Sequence, residues 1–428
     1  MKKIILLLIG FICLSTIIIA QNKEIQPVFI LLKNATIIDC ASNDAKKGAI
    51  LIKDNQIEKV SYEQSIIPPK GAIIYDLTDK FIMPGLIDAH VHFGTSPSGG
   101  DNLEDSKKRL AHLLKNGVTS VRDMAGDTRF LGFLARNAAL NEMPSPNIYY
   151  SALMAGSTFF DDPRTHSSAK GSTPGNCPWM KAVDLNTDMK LAVAEAKGTS
   201  ASGIKVYADL DAAVIEKIVT EAHQQNIKVW SHATVFPAKP LAIVKAGVDV
   251  LSHATLLAWE GLDYLPTSAK GRYAKQANFD ANTPVFKNLM TTMQAKGTIL
   301  DATLAIYQHE RFDTTIFQQG VALTKLAYEN GVKIGVGTDK GVNDFPIPIP
   351  LVKEMDILVN QVGMTPMEVL KATTIINAEM IGQENKIGTL EIGKRADLIV
   401  LDTNPLADIS NVSTIKYVFK NGRRINFR

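Results

Sequence analysis

The sequence predicts an α/β protein whose central part is an eightfold barrel of parallel strands and helices. Through the middle of the chain, short apolar segments alternate with amphipathic helical segments, which is the pattern of a parallel sheet. That region is long enough for eight strand–helix repeats. Residues 28–79 and 376–428 instead alternate strand patterns with turns, and the last of these turns carries an "NG" hairpin signal. Both chain ends are therefore predicted to be β-rich.

The first twenty residues are not expected to belong to this fold. "MKKIILLLIGFICLSTIIIAQ" has Lys2 and Lys3, then an apolar run, then the small residue Ala20, which is the pattern of a secretory signal peptide. An uncleaved membrane anchor is the alternative, because the apolar run approaches the length that spans a bilayer. Polar "QNKE" after Ala20 favours cleavage. The mature protein is therefore expected to be secreted or periplasmic, without stable membrane insertion.

Charge and cysteine content exclude several classes of site. The formal net charge is +3 for the whole chain, and +1 after subtraction of Lys2 and Lys3, which does not suggest a nucleic-acid partner. The mature chain keeps two distant cysteines, Cys40 and Cys177. They allow one disulfide at most and exclude a cysteine-rich zinc site. Any metal ion must be bound by histidines and carboxylates.

The barrel prediction assigns eight candidate strands, at residues 81–92, 117–124, 147–154, 203–209, 227–234, 248–255, 298–304 and 332–339. Helical patterns fit between them, as in 210–226, where Asp211 is placed to cap the helix. Three long connections, 155–182, 257–282 and 339–350, each follow a strand. They are expected at the C-terminal mouth of the barrel, where substrate loops lie.

Two histidines at the end of the first candidate strand raise the possibility of a metal site. Side chains alternate across a strand, so His90, His92 and Asp88 point to the same side. Two imidazoles converging at a barrel mouth can bind one metal ion. By itself the pair is weak evidence for a metal site, because surface or hydrogen-bonded histidines are the commoner explanation.

Further polar residues stand at the mouth ends of other candidate strands. Each could by itself be a hydrogen-bonded core residue. As a set in consistent positions they predict converging metal ligands, and they are Lys205, His232, His253 and Asp339.

Lys205 is the most informative of these residues. A lysine buried beside cations favours its neutral amine. A neutral amine can react with carbon dioxide to form a carbamate, an anionic ligand with two oxygens that can bridge two metal ions. An ion pair with Asp209 or Asp211 is the alternative.

These motifs occur together in one known family. "PGLIDAHVH", "GVTSVRD", "GIKVYAD", the two "SHAT" strand ends, "GVGTD" and "IGTLEIGKRADLIVLD" resemble the metal-dependent amidohydrolase superfamily over nearly the whole mature chain. The similarity is greatest to the branch of imidazolonepropionase-related proteins and Xaa-Pro dipeptidases. It implies a distorted (β/α)8 TIM barrel, residues 80–375, with a flanking β-sandwich formed by both chain ends, residues 21–79 and 376–428.

The resemblance also implies a ligand set with two metal ions and a bridging hydroxide. One ion would be bound by His90, His92 and Asp339, the other by His232 and His253, with carbamylated Lys205 bridging them. Imidazolonepropionase is mononuclear and lacks this lysine, so Lys205 favours the binuclear, peptidase-like branch. Zinc is the expected ion by ligand type, with other divalent metals open.

The function implied is a secreted amidohydrolase that cleaves the amide bond of a dipeptide, Xaa-Pro or N-acyl amino acid substrate by attack of the bridging hydroxide. Asp339 would carry the proton from the nucleophile to the leaving amine. Tyr207 shares the strand face of Lys205 and is a candidate for contacting the substrate carbonyl, with a core tyrosine as the alternative. Arg164 and His166 are candidates for binding a substrate carboxylate, with solvated loop residues as the alternative.

Two other functions are compatible with the sequence. A lactonase or ester hydrolase could use the same centre, and a noncatalytic binding protein could keep the barrel, although the full ligand set argues against the latter. Arg122 and Asp123 are interpreted as an internal ion pair. The partner is a small-molecule substrate, and the sequence leaves substrate identity, metal identity and homo-oligomer formation undecided.

Overall fold

The computed structural model describes residues 26–62, 65–93, 101–266, 279–340 and 349–427. The predicted signal peptide and parts of two predicted long connections, 267–278 and 341–348, lie outside the described residues. Within the described ranges, no helix combines the length and the apolar character needed to cross a membrane.

The strands lie in two sheets. In chain order they are β1 (Phe29–Ile38), β2 (Ala45–Lys53), β3 (Gln56–Tyr62), β4 (Ile73–Asp76), β5 (Phe81–Pro84), β6 (Leu86–Val91), β7 (Val118–Asp123), β8 (Asn147–Ala155), β9 (Asn176–Cys177), β10 (Met180–Ala182), β11 (Gly203–Val206), β12 (Lys228–His232), β13 (Val250–Ser252), β14 (Ile299–Asp301), β15 (Ile334–Gly335), β16 (Leu398–Leu401), β17 (Ile415–Lys420) and β18 (Arg423–Arg424).

Most of the helices pack outside the barrel strands, and several begin with a proline, whose fixed φ suits the first turn. They are α1 (Leu103–Lys115), α2 (Thr128–Ala139), α3 (Pro163–Ser167), α4 (Met189–Gly198), α5 (Ala212–Gln224), α6 (Pro240–Lys245), α7 (Pro284–Lys296), α8 (Thr314–Glu329), α9 (Pro350–Ile357), α10 (Pro366–Lys371) and α11 (Asn377–Met380). Asp211 is the N-cap of α5 as predicted, but its side chain makes no capping hydrogen bond.

Eight parallel strands form the barrel, in the order β6, β7, β8, β11, β12, β13, β14 and β15. The first and last strands meet where Ala89 N donates to Val336 O at 3.1 Å. The buried amide of Asn377 reinforces this closure, since its Nδ2 donates to the carbonyls of Ile87 and Val336, both at 2.7 Å. The predicted (β/α)8 barrel is confirmed.

The second sheet is built from both chain ends, in the order β18, β17, β16, β5, β1, β2, β3, with β4 beside β1. Its strands share an apolar core of their own, which includes Leu32, Ile50, Leu398 and Phe419. Pairing of β5 with β16 joins a segment from the first part of the chain to one from the last part. The two chain ends, each predicted to be β-rich, therefore combine in one sheet.

The first candidate strand, residues 81–92, is two strands and not one. β5 belongs to the sheet of the chain ends, where it pairs with β1 and β16, and β6 begins the barrel. Gly85 lies between them, and a Cβ there would come within 2.2 Å of the Thr119 hydroxyl oxygen. The glycine permits the close passage by which the chain crosses from one sheet to the other.

Cys40 and Cys177 are both free and buried. The disulfide that the sequence allowed is therefore absent. Burial raises the pKa of the Cys40 thiol to about 12 and that of the Cys177 thiol to about 11, so both are neutral packing groups at physiological pH.

Candidate metal centre

The predicted ligands meet at the C-terminal mouth of the barrel. His90 lies in β6 with His92 directly after it, Lys205 lies in β11, and His232 ends β12. His253 follows β13 directly, and Asp339 follows β15. The register of a parallel barrel brings these strand ends to one rim, so residues 249 positions apart in the chain become neighbours.

His90, His92 and Asp339 form a group that could bind one metal ion. The Nε2 atoms of His90 and His92 lie 3.5 and 3.0 Å from Asp339 Oδ1. One candidate ligand atom from each residue lies within 4.8 Å of the others. Asp88 helps to place Asp339, because its carboxylate accepts hydrogen bonds from the backbone and hydroxyl of Thr338 at 3.1 and 2.8 Å.

The imidazoles of His253 and His232 lie next to this group. The ring centroids of His90 and His253 are 4.9 Å apart, and those of His253 and His232 are 4.5 Å apart. His253 Nδ1 lies 3.9 Å from Asp339 Oδ2. The two oxygens of Asp339 therefore face different histidines, with Oδ1 toward His90 and His92 and Oδ2 toward His253.

Hydrogen bonding determines which ring nitrogen of two histidines is available. His90 Nδ1 lies 2.6 Å from Asp301 Oδ2, and His232 Nδ1 lies 3.1 Å from the carbonyl oxygen of Thr234. An ionised carboxylate and a carbonyl can only accept, so both Nδ1 atoms carry the proton. Each Nε2 then presents a lone pair, as a metal ligand requires.

The charges around Asp301 and Asp339 favour the ionised form of both carboxyl groups. Burial raises the pKa of each carboxyl, but nearby imidazoles outweigh it. The pKa of Asp301 falls to about 2, with His90 the largest opposing influence. The pKa of Asp339 is also held below its ordinary value by His90, His92 and His253. Two anions therefore face the imidazole cluster at neutral pH.

Lys205 is fully buried, and within the described part of the chain its Nζ has no hydrogen-bond partner. Burial, followed by the charge of Arg122, lowers its pKa to about 7. The ion pair with Asp209 or Asp211, which was the alternative interpretation of this lysine, is not formed. A buried, unpartnered amine with a large neutral fraction fits the carbamate ligand, because a carbamate would supply the anion that cations at this position require.

Backbone conformation at the mouth is unusual for non-glycine residues. His253, Thr303 and Asp339 have φ values of 78°, 50° and 50°, in the left-handed region that costs about 1–3 kcal/mol per residue in strained cases. Gly337 in "GVGTD" is also required, since a Cβ there would lie 2.5 Å from His90 Cβ and 2.6 Å from Asp301 Oδ1. Conformations of this kind cluster at functional sites.

Tyr207 and Arg164 lie together beside the imidazoles. The Tyr207 ring is 5.0 Å from His232 and 4.7 Å from Phe159, centroid to centroid. Arg164 hydrogen-bonds Tyr207, and Arg164 Nη2 lies 2.6 Å from an Asp162 carboxylate oxygen. His166 is an exposed residue of α3 and forms none of these contacts.

Two buried residues at the site were not among the predicted site residues. Asp301 ends β14 and contacts His90, and Arg122 pairs with Asp301 at 3.0 Å. The predicted ion pair between Arg122 and Asp123 is therefore wrong. Asp301 carries the same signal as the predicted ligands, since it is a lone charged residue at the end of an apolar candidate strand, "TILDATL".

Comparison with known proteins gives a consistent result. Residues 81–425 match the model of the Amidohydrolase family. Ochratoxinase from Aspergillus niger is 27% identical over 429 residues, covering 88% of this chain and 82% of that protein. A 5'-deoxyadenosine deaminase from Methanobrevibacter smithii is 34% identical over 404 residues, covering 88% and 84%.

A solved Xaa-Pro dipeptidase with bound methionine has the same fold, with a TM-score of 0.72 and 22% identity over 93% of this chain and 100% of that one. The family is generally metal-dependent, in keeping with the histidine–aspartate group. The barrel, the histidine and aspartate side chains at its strand ends and the family match over residues 81–425 lead to one conclusion: the chain belongs to the amidohydrolase family and is a hydrolase acting on carbon–nitrogen bonds.

Proposed function

We propose that the protein is a secreted, binuclear metal-dependent amidohydrolase that cleaves the amide bond of a dipeptide, an Xaa-Pro dipeptide or an N-acyl amino acid. The observation that carries this proposal is the buried Nζ of Lys205, which has no hydrogen-bond partner within the described residues and interacts electrostatically with His90, His92, His253 and Asp339. As an ammonium ion it would repel a metal. As a carbamate it would share one negative charge between two oxygens, one for each of two ions. A mononuclear centre has no need of such a bridging ligand.

The proposed ligands divide into two sets that share Lys205. His90, His92 and Asp339 would bind one ion, and His232 and His253 the other. Imidazole and carboxylate ligands suit zinc. Two bound divalent ions would lower the pKa of the attacking water and polarise the scissile carbonyl.

Asp339 is the proposed carrier of the proton. Its lowered pKa keeps it ionised at neutral pH, so it can accept a proton from the attacking water. Its position between the histidines of both sets leaves it close to the reacting bond, where it can donate that proton to the leaving amine. An amine leaves poorly unless it is protonated, so amide cleavage depends on this donation.

Arg164 and Tyr207 are proposed to bind the substrate at the rim of the site. A guanidinium beside a phenol is suited to a carboxylate end of a dipeptide or N-acyl amino acid. Phe159 packs on Tyr207 at 4.7 Å and adds an apolar surface beside them. Ochratoxinase and Xaa-Pro dipeptidase, the names carried by two of the similar proteins, are consistent with an amide substrate.

Replacement of Arg164 tests this assignment. Arg164→Met is expected to raise KM about 10–100-fold for substrates with a free carboxylate, the size of a lost charge-assisted hydrogen bond, with kcat changed little. Methyl esters of the same substrates should show no such increase. Arg136→Met, at an exposed arginine of α2, is the control. An equal rise in KM for acids and methyl esters would mean that Arg164 does not bind the carboxylate.

The proposed function as a whole is tested by metal analysis and a substrate screen of the purified mature chain. We expect about two divalent ions per chain and hydrolysis of Xaa-Pro dipeptides, other dipeptides or N-acyl amino acids. Full activity in metal-free protein would contradict the metal mechanism, and activity on lactones alone would favour the ester-hydrolase alternative. Secretion predicts that the purified protein begins at Gln21, which N-terminal sequencing determines.

A further inference from the structure

Asp301 has a set of contacts that the proposed ligand set does not explain. It is fully buried at the end of β14, and its Oδ2 accepts three hydrogen bonds. The donors are His90 Nδ1 at 2.6 Å, Ser252 Oγ at 2.9 Å and Arg122 Nη2 at 3.0 Å. One oxygen atom therefore connects the side chains of β6, β7, β13 and β14.

Arg122 holds this carboxylate from inside the barrel. Its Nε donates to the carbonyl oxygen of Ala89 at 2.5 Å, and its guanidinium lies 4.7 Å from the ring centroid of Trp230. Trp230 is in turn fixed by a hydrogen bond from its indole nitrogen to Met380 O at 2.8 Å. Both Arg122 and Trp230 are fully buried. The Asp301 carboxylate thus has little freedom to rotate or to move away from His90.

We propose that Asp301 is a positioning residue for metal binding, which fixes the ring orientation of His90 and keeps its proton on Nδ1. The inference rests on the proposed metal site. His90 Nε2 then points toward Asp339, beside His92 Nε2. A carboxylate on the far side of an imidazole also makes the ring a stronger ligand, and loss of such a partner costs about 10–100-fold in metal affinity.

A purely structural role is the competing explanation. Arg122 is a buried cation, and Asp301 is its ion-pair partner. Removal of one member of a buried pair destabilises a protein because the other charge is left uncompensated. The test must therefore separate neutralisation of Arg122 from orientation of His90.

Three variants make that separation. Asp301→Asn keeps the shape and removes the charge, and the double variant Arg122→Met/Asp301→Asn removes both members of the buried pair. Asp249→Asn is the matched control, because Asp249 is also a carboxylate hydrogen-bonded to an imidazole, with His223 Nε2 at 2.9 Å from its Oδ2, but it does not contact the proposed ligands. Metal affinity is measured by chelator competition, together with the optical spectrum of the cobalt-substituted protein and thermal unfolding.

We expect Asp301→Asn and the double variant both to bind metal about 10–100-fold more weakly and to shift the cobalt spectrum, while Asp249→Asn binds as the wild type does. Restored affinity in the double variant would overturn the inference, because it would show that Asp301 only balances Arg122. Unchanged metal affinity in Asp301→Asn would overturn the inference as well. The proposed function would still stand in that case if the wild type binds two ions and His90→Ala binds fewer. A wild-type protein that binds no metal would overturn both.

Discussion

Lys205→Ala is expected to lower the metal content from about two ions per chain to about one and to reduce kcat/KM for amide hydrolysis by about 10³-fold or more. That loss corresponds to about 4 kcal/mol of transition-state stabilisation. The reason is that the variant lacks the proposed shared ligand, so the second ion is left with His232 and His253 alone. Metal analysis and steady-state kinetics on one preparation measure both effects.

The control for this variant is another buried lysine far from the mouth. Lys420 is as fully buried as Lys205, but its Nζ donates to Ala138 O at 2.5 Å. Lys420→Ala is expected to lower stability without changing the metal content. Added formate or acetate should partly restore Lys205→Ala, because a small carboxylate can occupy the vacated space and supply two oxygens. A Lys205→Ala protein with two ions and full activity would show that the carbamate assignment is wrong.

The same lysine predicts a pH dependence for reconstitution of the metal-free protein. Because burial lowers the pKa of Lys205 to about 7, the ammonium form dominates below that pH and the neutral amine above it. Only the neutral amine reacts with carbon dioxide. Metal and bicarbonate should therefore restore more activity when they are added at a pH above 7 than at a pH below it.

Asp339→Asn is expected to lower kcat for an amide substrate by about 10³-fold, within the range of about 10²–10⁴ for removal of a general acid–base group. The asparagine keeps a carbonyl oxygen near His92 but cannot accept and return a proton. Esters with good leaving groups need less protonation of the leaving atom, so their kcat should fall much less. Parallel kinetics on a matched amide and aryl ester measure the difference.

Asp209→Asn supplies the comparison for Asp339→Asn. Asp209 lies in the connection after β11 and accepts a hydrogen bond from Thr158 at 2.7 Å, outside the imidazole cluster. Its replacement should leave both activities near the wild-type values. If Asp339→Asn lost amide and ester hydrolysis to the same extent, Asp339 would act as a ligand and not as the proton carrier.

The candidate site could be predicted largely from local patterns. Strand parity placed His90 and His92 on one side, and the structure confirms that both face Asp339. The lone polar groups at the ends of apolar strands identified Lys205 and His253 as residues of the mouth. These inferences succeed because a side chain's direction relative to its own strand is a local property of the backbone.

Pairing between distant segments could not be predicted in the same way. Strand parity places Arg122 and the adjacent Asp123 on opposite faces of β7, but nothing near residue 122 indicates that its guanidinium reaches Asp301. Likewise, nothing near residue 81 indicates that β5 leaves the barrel for the other sheet. Each outcome depends on which strands become neighbours when the barrel closes.

The sequence by itself therefore determined the strand order of the barrel, the β-rich chain ends and the candidate ligands that line the mouth. Only the tertiary structure decided that Lys205 Nζ has no partner within the described residues, that His90 is held by Asp301 and that Cys40 and Cys177 stay apart. The physical reason is that residue type and periodicity specify where a side chain points along its own element, whereas its partner and its burial depend on contacts between elements that lie hundreds of residues apart.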